Sequence, residues 1–259
     1  SVFLRNWKRR LNLSEKLAML GGIPLINQPF SRYNSIGDEE IDAVRDVMES
    51  GVLSKFLGCW DPDFYGGPKV QAFERQCEKY FGVKHAVTVN SWTSGLVAAV
   101  GAIGIEPGDE IIVTPWTMTA TASAILAWGA IPIFSEIDLN TYCLDPEKIE
   151  NKITKKCKAI VVADIFGQSA DYKKIMKLAK RYNLKVISDS AQAIGSKNFN
   201  NFTGTNADIG GYSLNRHKHI HSGEGGVIIT NNKELAENMF KIRNHGECIN
   251  EDKKFRNLI

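Results

Sequence analysis

AIVVADIFGQSADYKKIMKLAKRYNLKVISDSAQ, residues 159–192, carries a whole strand–helix–strand unit in its pattern of apolar residues. Two short β-branched runs, AIVVAD and KVISD, are each closed by turn-forming polar residues, the way buried strands read. Between them DYKKIMKLAKRYN has the pattern of a helix, its lysines forming a solvated outer face.

The same alternation extends in both directions. HAVTVN (85–90), EIIVTP (110–115), IPIFSEI (131–137), DIGGYSL (208–214) and GGVIITN (225–231) read as further strands. TSGLVAAVGAIGI (93–105), ATASAILAWG (120–129) and DPEKIENKI (145–153) read as helices, the last capped by Asp145 with Pro146 at its first position. Alternation of this kind predicts an α/β domain with a mostly parallel central sheet and helices on both faces. Upstream, Ile41, Val44, Val47 and Met48 fall at helical spacing, and Val70, Phe73, Cys77 and Phe81 mark a second amphipathic helix stopped by Gly82. VLSKFLGCWDPDFYGGPK (52–69), between them, reads as an ordered loop. The expected division is an arm over 1–34, a large domain over 35–235 and the start of a further segment over 236–259.

Composition narrows the classes of function. A 259-residue chain that is 43% hydrophobic and 24% charged, with net charge +3, can bury a sizeable core. Its basic clusters have no interleaved aromatic stripe, so nucleic acid is not an expected partner. Five cysteines, an odd number without any C-x-x-C, predict free thiols and a cytoplasmic setting. LAMLGGIPLI (17–26) is interrupted by two glycines and a proline, so no membrane span or signal peptide is expected.

In parallel sheets ligands collect at the carboxyl ends of the strands, and three polar groups stand there. SWTSG (91–95) opens a helix, where backbone N–H groups and the hydroxyls of Thr93 and Ser94 suit an anion such as phosphate; the plainer reading makes Ser91 a helix cap. Asp189, in DSAQAIG (189–195) with Gln192, ends an apolar strand and wants a cationic partner: an Arg, a Lys or a protonated ring nitrogen. SLNRHKHIHSGEGG (213–226) sets Lys218 among His217, His219 and His221. Three histidines at alternate positions of a strand suit zinc; a neutral lysine suits a Schiff base. Anion pocket, carboxylate and lysine together are what pyridoxal phosphate requires.

These residues carry a resemblance. DSAQAIG and the pattern S-x-x-x-x-K-x-x-x-x-G-E-G-G, met from Ser213 to Gly226, are similar to the DegT/DnrJ/EryC1/StrS family of sugar aminotransferases. LGGIPLI, EEIDAV, GGPKVQAFE, GIEPGDEIIVTP, DIFGQSAD and RNHGE extend it over nearly the whole chain. The resemblance implies the fold-type-I large domain and pyridoxal phosphate as cofactor. It makes Lys218 the residue that holds the aldehyde and moves protons, Asp189 the partner of the ring nitrogen, and Gln192 a neighbour of the ring hydroxyl. Thr93, Ser94 and Ser213 become phosphate ligands. Lys218 then takes precedence over a metal site, and His217 and His219 are expected to line the cofactor pocket or substrate mouth.

The family's ring-stacking aromatic is replaced by Met118, which leaves Met118, Trp116 and Trp92 as candidates for that contact. The implied reaction moves an amino group from glutamate to a keto sugar, commonly nucleotide-linked, in a homodimer. SLNRHKHIH also resembles members that aminate an eight-carbon keto-sugar acid. The family continues into a C-terminal small domain that is expected to be missing here. A non-catalytic member is the alternative. A sugar dehydratase, which carries histidine in place of Lys218, and a histidine-rich metal protein stand further off.

Overall fold

The computed structural model describes residues 16–31, 34–54, 56 and 63–247. The chain forms two compact units, residues 1–53 and 54–259. The first contains helix α1, Asp38–Glu49, opened by three acidic residues in its first turn, where the helix dipole favours negative charge. Glu40 accepts a hydrogen bond from the Gly37 N–H at 2.7 Å. The expected stripe of Ile41, Val44 and Met48 stays exposed, and the helix buries none of its residues.

The second unit begins with α2, Pro68–Phe81, started by proline and stopped by Gly82 in the left-handed region. Residues 55 and 57–62 of the aromatic loop before it, Cys59 among them, lie outside the described residues. The strands follow as predicted: β1 His85–Val89, β2 Glu110–Val113, β3 Ile131–Phe134, β4 Cys157–Ala163 and β5 Lys185–Asp189. The helices between them are α3 Trp92–Ala102, α4 Thr119–Leu126, the single turn α5 Pro146–Ile149, and α6 Tyr172–Tyr182. Asp145 does cap α5, accepting from the Glu147 N–H at 2.9 Å. The hairpin β6 Lys197–Asn198 and β7 Asn201–Phe202, not anticipated from sequence, precedes β8 Ile209–Ser213 and β9 Gly226–Thr230. A further helix, α7 Lys233–Arg243, is likewise not anticipated from the sequence and is the last among the described residues.

Seven strands form one sheet in the order β1-β9-β8-β5-β4-β2-β3. Only β9 runs against its neighbours. The alternation of side chains along each strand divides the core. Ile111, Val113, Ala159, Val161 and Ile187 meet α3, α4 and α7 on one face. Ile112, Ile160, Val162 and Val186 meet α6 on the other. Both faces are therefore covered, which is why these strands read as unbroken apolar runs.

Helix α7 belongs to this core: Leu235 and Met239 are buried against the α3 side, and Ala236 is buried as well. Its last residue, Arg243, forms an ion pair with Glu74 of α2 at 2.7 Å, both side chains under 10% exposed. Cys77, Cys143 and Cys157 are free and buried, and burial pushes the Cys77 thiol up to about 12. Among the described residues no helix is long and apolar enough to cross a membrane.

Candidate active site

The register brings the ends of five strands to one edge. Ala163 of β4 pairs with Asp189 of β5, Asp189 with Gly211 of β8, and Ser213 of β8 with Gly226 of β9. Gly226 in turn pairs with Val89 of β1. Gly226 lies so close to the start of α3 that a Cβ there would stand 2.8 Å from the Trp92 nitrogen. The Ser213 strand end, the α3 start and Asp189 are therefore neighbours.

At the α3 start the capping role of Ser91 holds: its Oγ accepts from the Ser94 N–H at 3.1 Å and lies 3.0 Å from the Ser94 hydroxyl. The N–H groups of Trp92 and Thr93 have no acceptor among the described residues. Orphan donors of this sort are what a bound anion satisfies. A cleft of about 670 Å³ opens beside Thr93 and Ser94, lined also by Asn90, Asn244 and His245.

Asp189 is buried, 7% exposed, and of the partners left open by the sequence neither an Arg nor a Lys meets it among the described residues. Three neutral donors hold it instead. The Trp92 indole Nε1–H donates to Oδ1 at 2.6 Å, the Thr121 hydroxyl to Oδ2 at 2.6 Å, and the Ala191 N–H to Oδ1 at 3.2 Å. A carboxylate offers about four lone-pair sites, so one acceptor position remains for a ring N–H. The residues present thus fit a protonated heterocycle.

Gln192 spends its amide oxygen on the Phe166 N–H, at 2.7 Å. Its NH₂ makes no hydrogen bond among the described residues and is a donor suited to a ring hydroxyl oxygen. Phe166 adopts a left-handed conformation with φ 55° in the turn after β4. Behind Asp189, on the opposite face of the sheet, lies a second buried carboxyl. Asp164 accepts from Ala170 N–H, Tyr172 OH, Ser188 Oγ and Ser190 Oγ, all at 2.7–3.0 Å. Burial pushes it up to about 6, with those hydrogen bonds opposing the rise.

Lys218 sits on the loop between β8 and β9, half-buried, its amine making no hydrogen bond or ion pair among the described residues. The loop is closed on itself: Arg216 N–H donates to Gly223 O, Ser222 N–H to Leu214 O, and the Asn215 amide to Glu224 Oε1 at 2.7 Å. His217 and His219 are exposed in this turn. The segment is not a strand, so the three histidines do not share a strand face. Among the described residues no group of three or more His, Cys, Asp or Glu is placed to hold a metal ion.

Met118 and Trp116 are both exposed at the entry to α4. Trp116 tilts against Tyr142 with ring centroids 6.2 Å apart. Trp92 presents no free face, because its ring is packed beneath the site; a Cβ on Gly211 would stand 2.0 Å from it. A larger cleft, about 1370 Å³ and lined by Pro115, Asp138, Lys148 and Asn198, touches neither Asp189 nor Lys218. The partners of Asp189 were missed from sequence. The available signal was a tryptophan opening a small-residue helix in a chain that also offers a Gly-Gly strand at 210–211.

A model of the DegT/DnrJ/EryC1/StrS aminotransferase family matches residues 34–259. The chain is 42% identical over 217 residues to the dTDP-3-amino-3,6-dideoxy-alpha-D-galactopyranose transaminase of Aneurinibacillus thermoaerophilus, covering 83% of this chain and 56% of that one. It is 40% identical over 211 residues to the spore coat polysaccharide biosynthesis protein SpsC of Bacillus subtilis, covering 82% and 51%. The solved structure of NtdA from Bacillus subtilis with bound cofactor PMP superposes with a TM-score of 0.71 at 30% identity, covering 83% of this chain and 48% of that one. The chain spans about half the length of the curated relatives it matches.

Proposed function

Since this chain belongs to the DegT/DnrJ/EryC1/StrS aminotransferase family and has its fold-type-I large domain, we propose that the whole protein is a pyridoxal phosphate-dependent aminotransferase of amino-sugar biosynthesis. It moves an amino group from glutamate to a keto sugar carried on a nucleotide, as a cytoplasmic homodimer. The observation that carries this reading is the buried Asp189 carboxylate, pinned by Trp92 and Thr121 beside an open helix start.

When bound, the cofactor supplies an aldehyde that takes up amines and a protonated ring that draws off electrons. Thr93, Ser94 and Ser213 hold its phosphate, with the orphan N–H groups of the α3 start. Asp189 accepts the ring N–H and keeps that proton in place. Gln192 donates to the ring hydroxyl through its free NH₂, and Met118 or Trp116 covers the ring. Lys218 would contribute the amine that holds the aldehyde and would serve afterwards as a proton carrier. His217 and His219, exposed on the same turn, meet the incoming sugar.

The test is the visible spectrum of the chain with added pyridoxal phosphate, followed by glutamate. A yellow band that glutamate bleaches to the amine form is expected. A band that glutamate leaves untouched would mark a non-catalytic member, and a wild-type spectrum identical to that of Lys218→Ala would contradict the cofactor site.

A further inference from the structure

We propose that Trp92 is a positioning residue that ties the anion-binding helix start to the ring-nitrogen carboxylate, its main chain serving one end of the cofactor and its side chain the other. The inference rests on the cofactor reading above and deepens it, giving one residue of that site a part at both ends of the cofactor.

Trp92 is the first residue of α3, so its own N–H is one of the orphan donors at the anion site. Its side chain runs inward, 4% exposed, and delivers Nε1–H to Asp189 Oδ1 at 2.6 Å. Thr121, from the first turn of α4, delivers its hydroxyl to the other oxygen at 2.6 Å. An ionised carboxylate only accepts, so the one hydroxyl proton of Thr121 goes to Asp189. The 2.8 Å contact between Thr117 and Thr121 must then be donated by Thr117. Donors from two helices, one on each oxygen, fix the rotation of the carboxyl plane, and charge-assisted bonds of this kind are the strong ones.

The room for the indole is cut from glycine. A Cβ on Gly95 would stand 2.7 Å from the ring and one on Gly211 2.0 Å. Phenylalanine fits the same space and brings no donor. Packing alone therefore predicts that Trp92→Phe leaves the cofactor unaffected, whereas positioning predicts that it does not.

The experiment measures pyridoxal phosphate affinity, by absorbance, for the chain, Trp92→Phe, Asp189→Asn and the double variant. In parallel, the indole N–H resonances of the ¹⁵N-tryptophan-labelled wild-type chain are followed. Trp92→Phe should weaken binding about ten- to a hundredfold, the scale of one hydrogen bond to a charged group. Adding it to Asp189→Asn should cost nothing more. The Trp92 indole resonance should move in the wild-type chain as pyridoxal phosphate saturates and should lie elsewhere in an equally labelled Asp189→Asn chain, a readout that survives even if the phenylalanine variant fails to fold. Equal affinities of wild type and Trp92→Phe, or a resonance unmoved while a borohydride-fixed adduct forms on Lys218, would overturn the role while leaving the cofactor reading intact. A wild-type chain that forms no adduct at all would overturn both.

Discussion

Gly95 lies flat against the indole of Trp92: a Cβ on Gly95 would stand 2.7 Å from Cε3 and 2.9 Å from Cζ3. The next nearest atom, Val89 Cγ2, would be 3.3 Å away, so the tryptophan is the main obstacle. Gly95→Ala should cost about 1–3 kcal/mol, as overpacking does. In a Trp92→Ala background, where the ring is gone, the same change should cost little. Denaturant melts of the four proteins test this coupling, and additive costs would contradict it.

Arg243 and Glu74 are a second tight relationship. Arg243 also donates to Thr88 O, Thr88 Oγ1 and Tyr65 O, and its guanidinium lies 4.9 Å from the ring centres of Phe56 and Phe240. Burial lowers the arginine's proton affinity, and Glu74 opposes that fall. Removing one partner leaves the other charge buried, so Arg243→Ala should destabilise by about 3–5 kcal/mol. Replacing both at once, as Arg243→Met with Glu74→Leu, should cost less than either single change. Thermal unfolding of the three variants provides the comparison.

Asp164 predicts a dependence on pH. Its pKa rises from an ordinary carboxyl's 3.8 to about 6, chiefly by burial, so the folded chain holds this proton more tightly than the unfolded one. Its stabilising contribution is then complete below about pH 4 and is lost as pH climbs through about 6. The amount is on the order of 3 kcal/mol. Asp164→Asn has no proton to lose, and its stability relative to wild type should rise between pH 4 and pH 7. Urea midpoints at the two pH values decide this; a constant difference would place the group's pKa near its unfolded value.

How far the sequence can be read follows from the physics of each element. Strands β2, β4 and β5 are covered on both faces, so Ile111–Val113, Ala159–Ala163 and Val186–Ile187 carry their assignment locally. Asp145 and Ser91 cap their helices as their residue types suggest. The β6–β7 hairpin, two residues a side, is too short to have a period. Helix α7 mixes Leu235, Ala236, Met239, Phe240 and Ile242 with charged residues, and the α3 face it packs on lies far back in the chain, so its place in the core is not a local property. Positions along the strand ends were within reach, and partners were not. Trp92 and Thr121 stand 97 and 68 residues from Asp189, and no local pattern announces that they meet there. The loop bearing Lys218 is likewise fixed by Asn215 and Glu224, whose pairing depends on the register of β8 against β9.

The role of Lys218 is open to peptide mass spectrometry of the chain reduced with borohydride in the presence of pyridoxal phosphate. The expected result is one stoichiometric phosphopyridoxyl adduct on Lys218, absent from Lys218→Ala and diminished in Asp189→Asn. An adduct spread over surface lysines, or one that persists unchanged in Lys218→Ala, would contradict it.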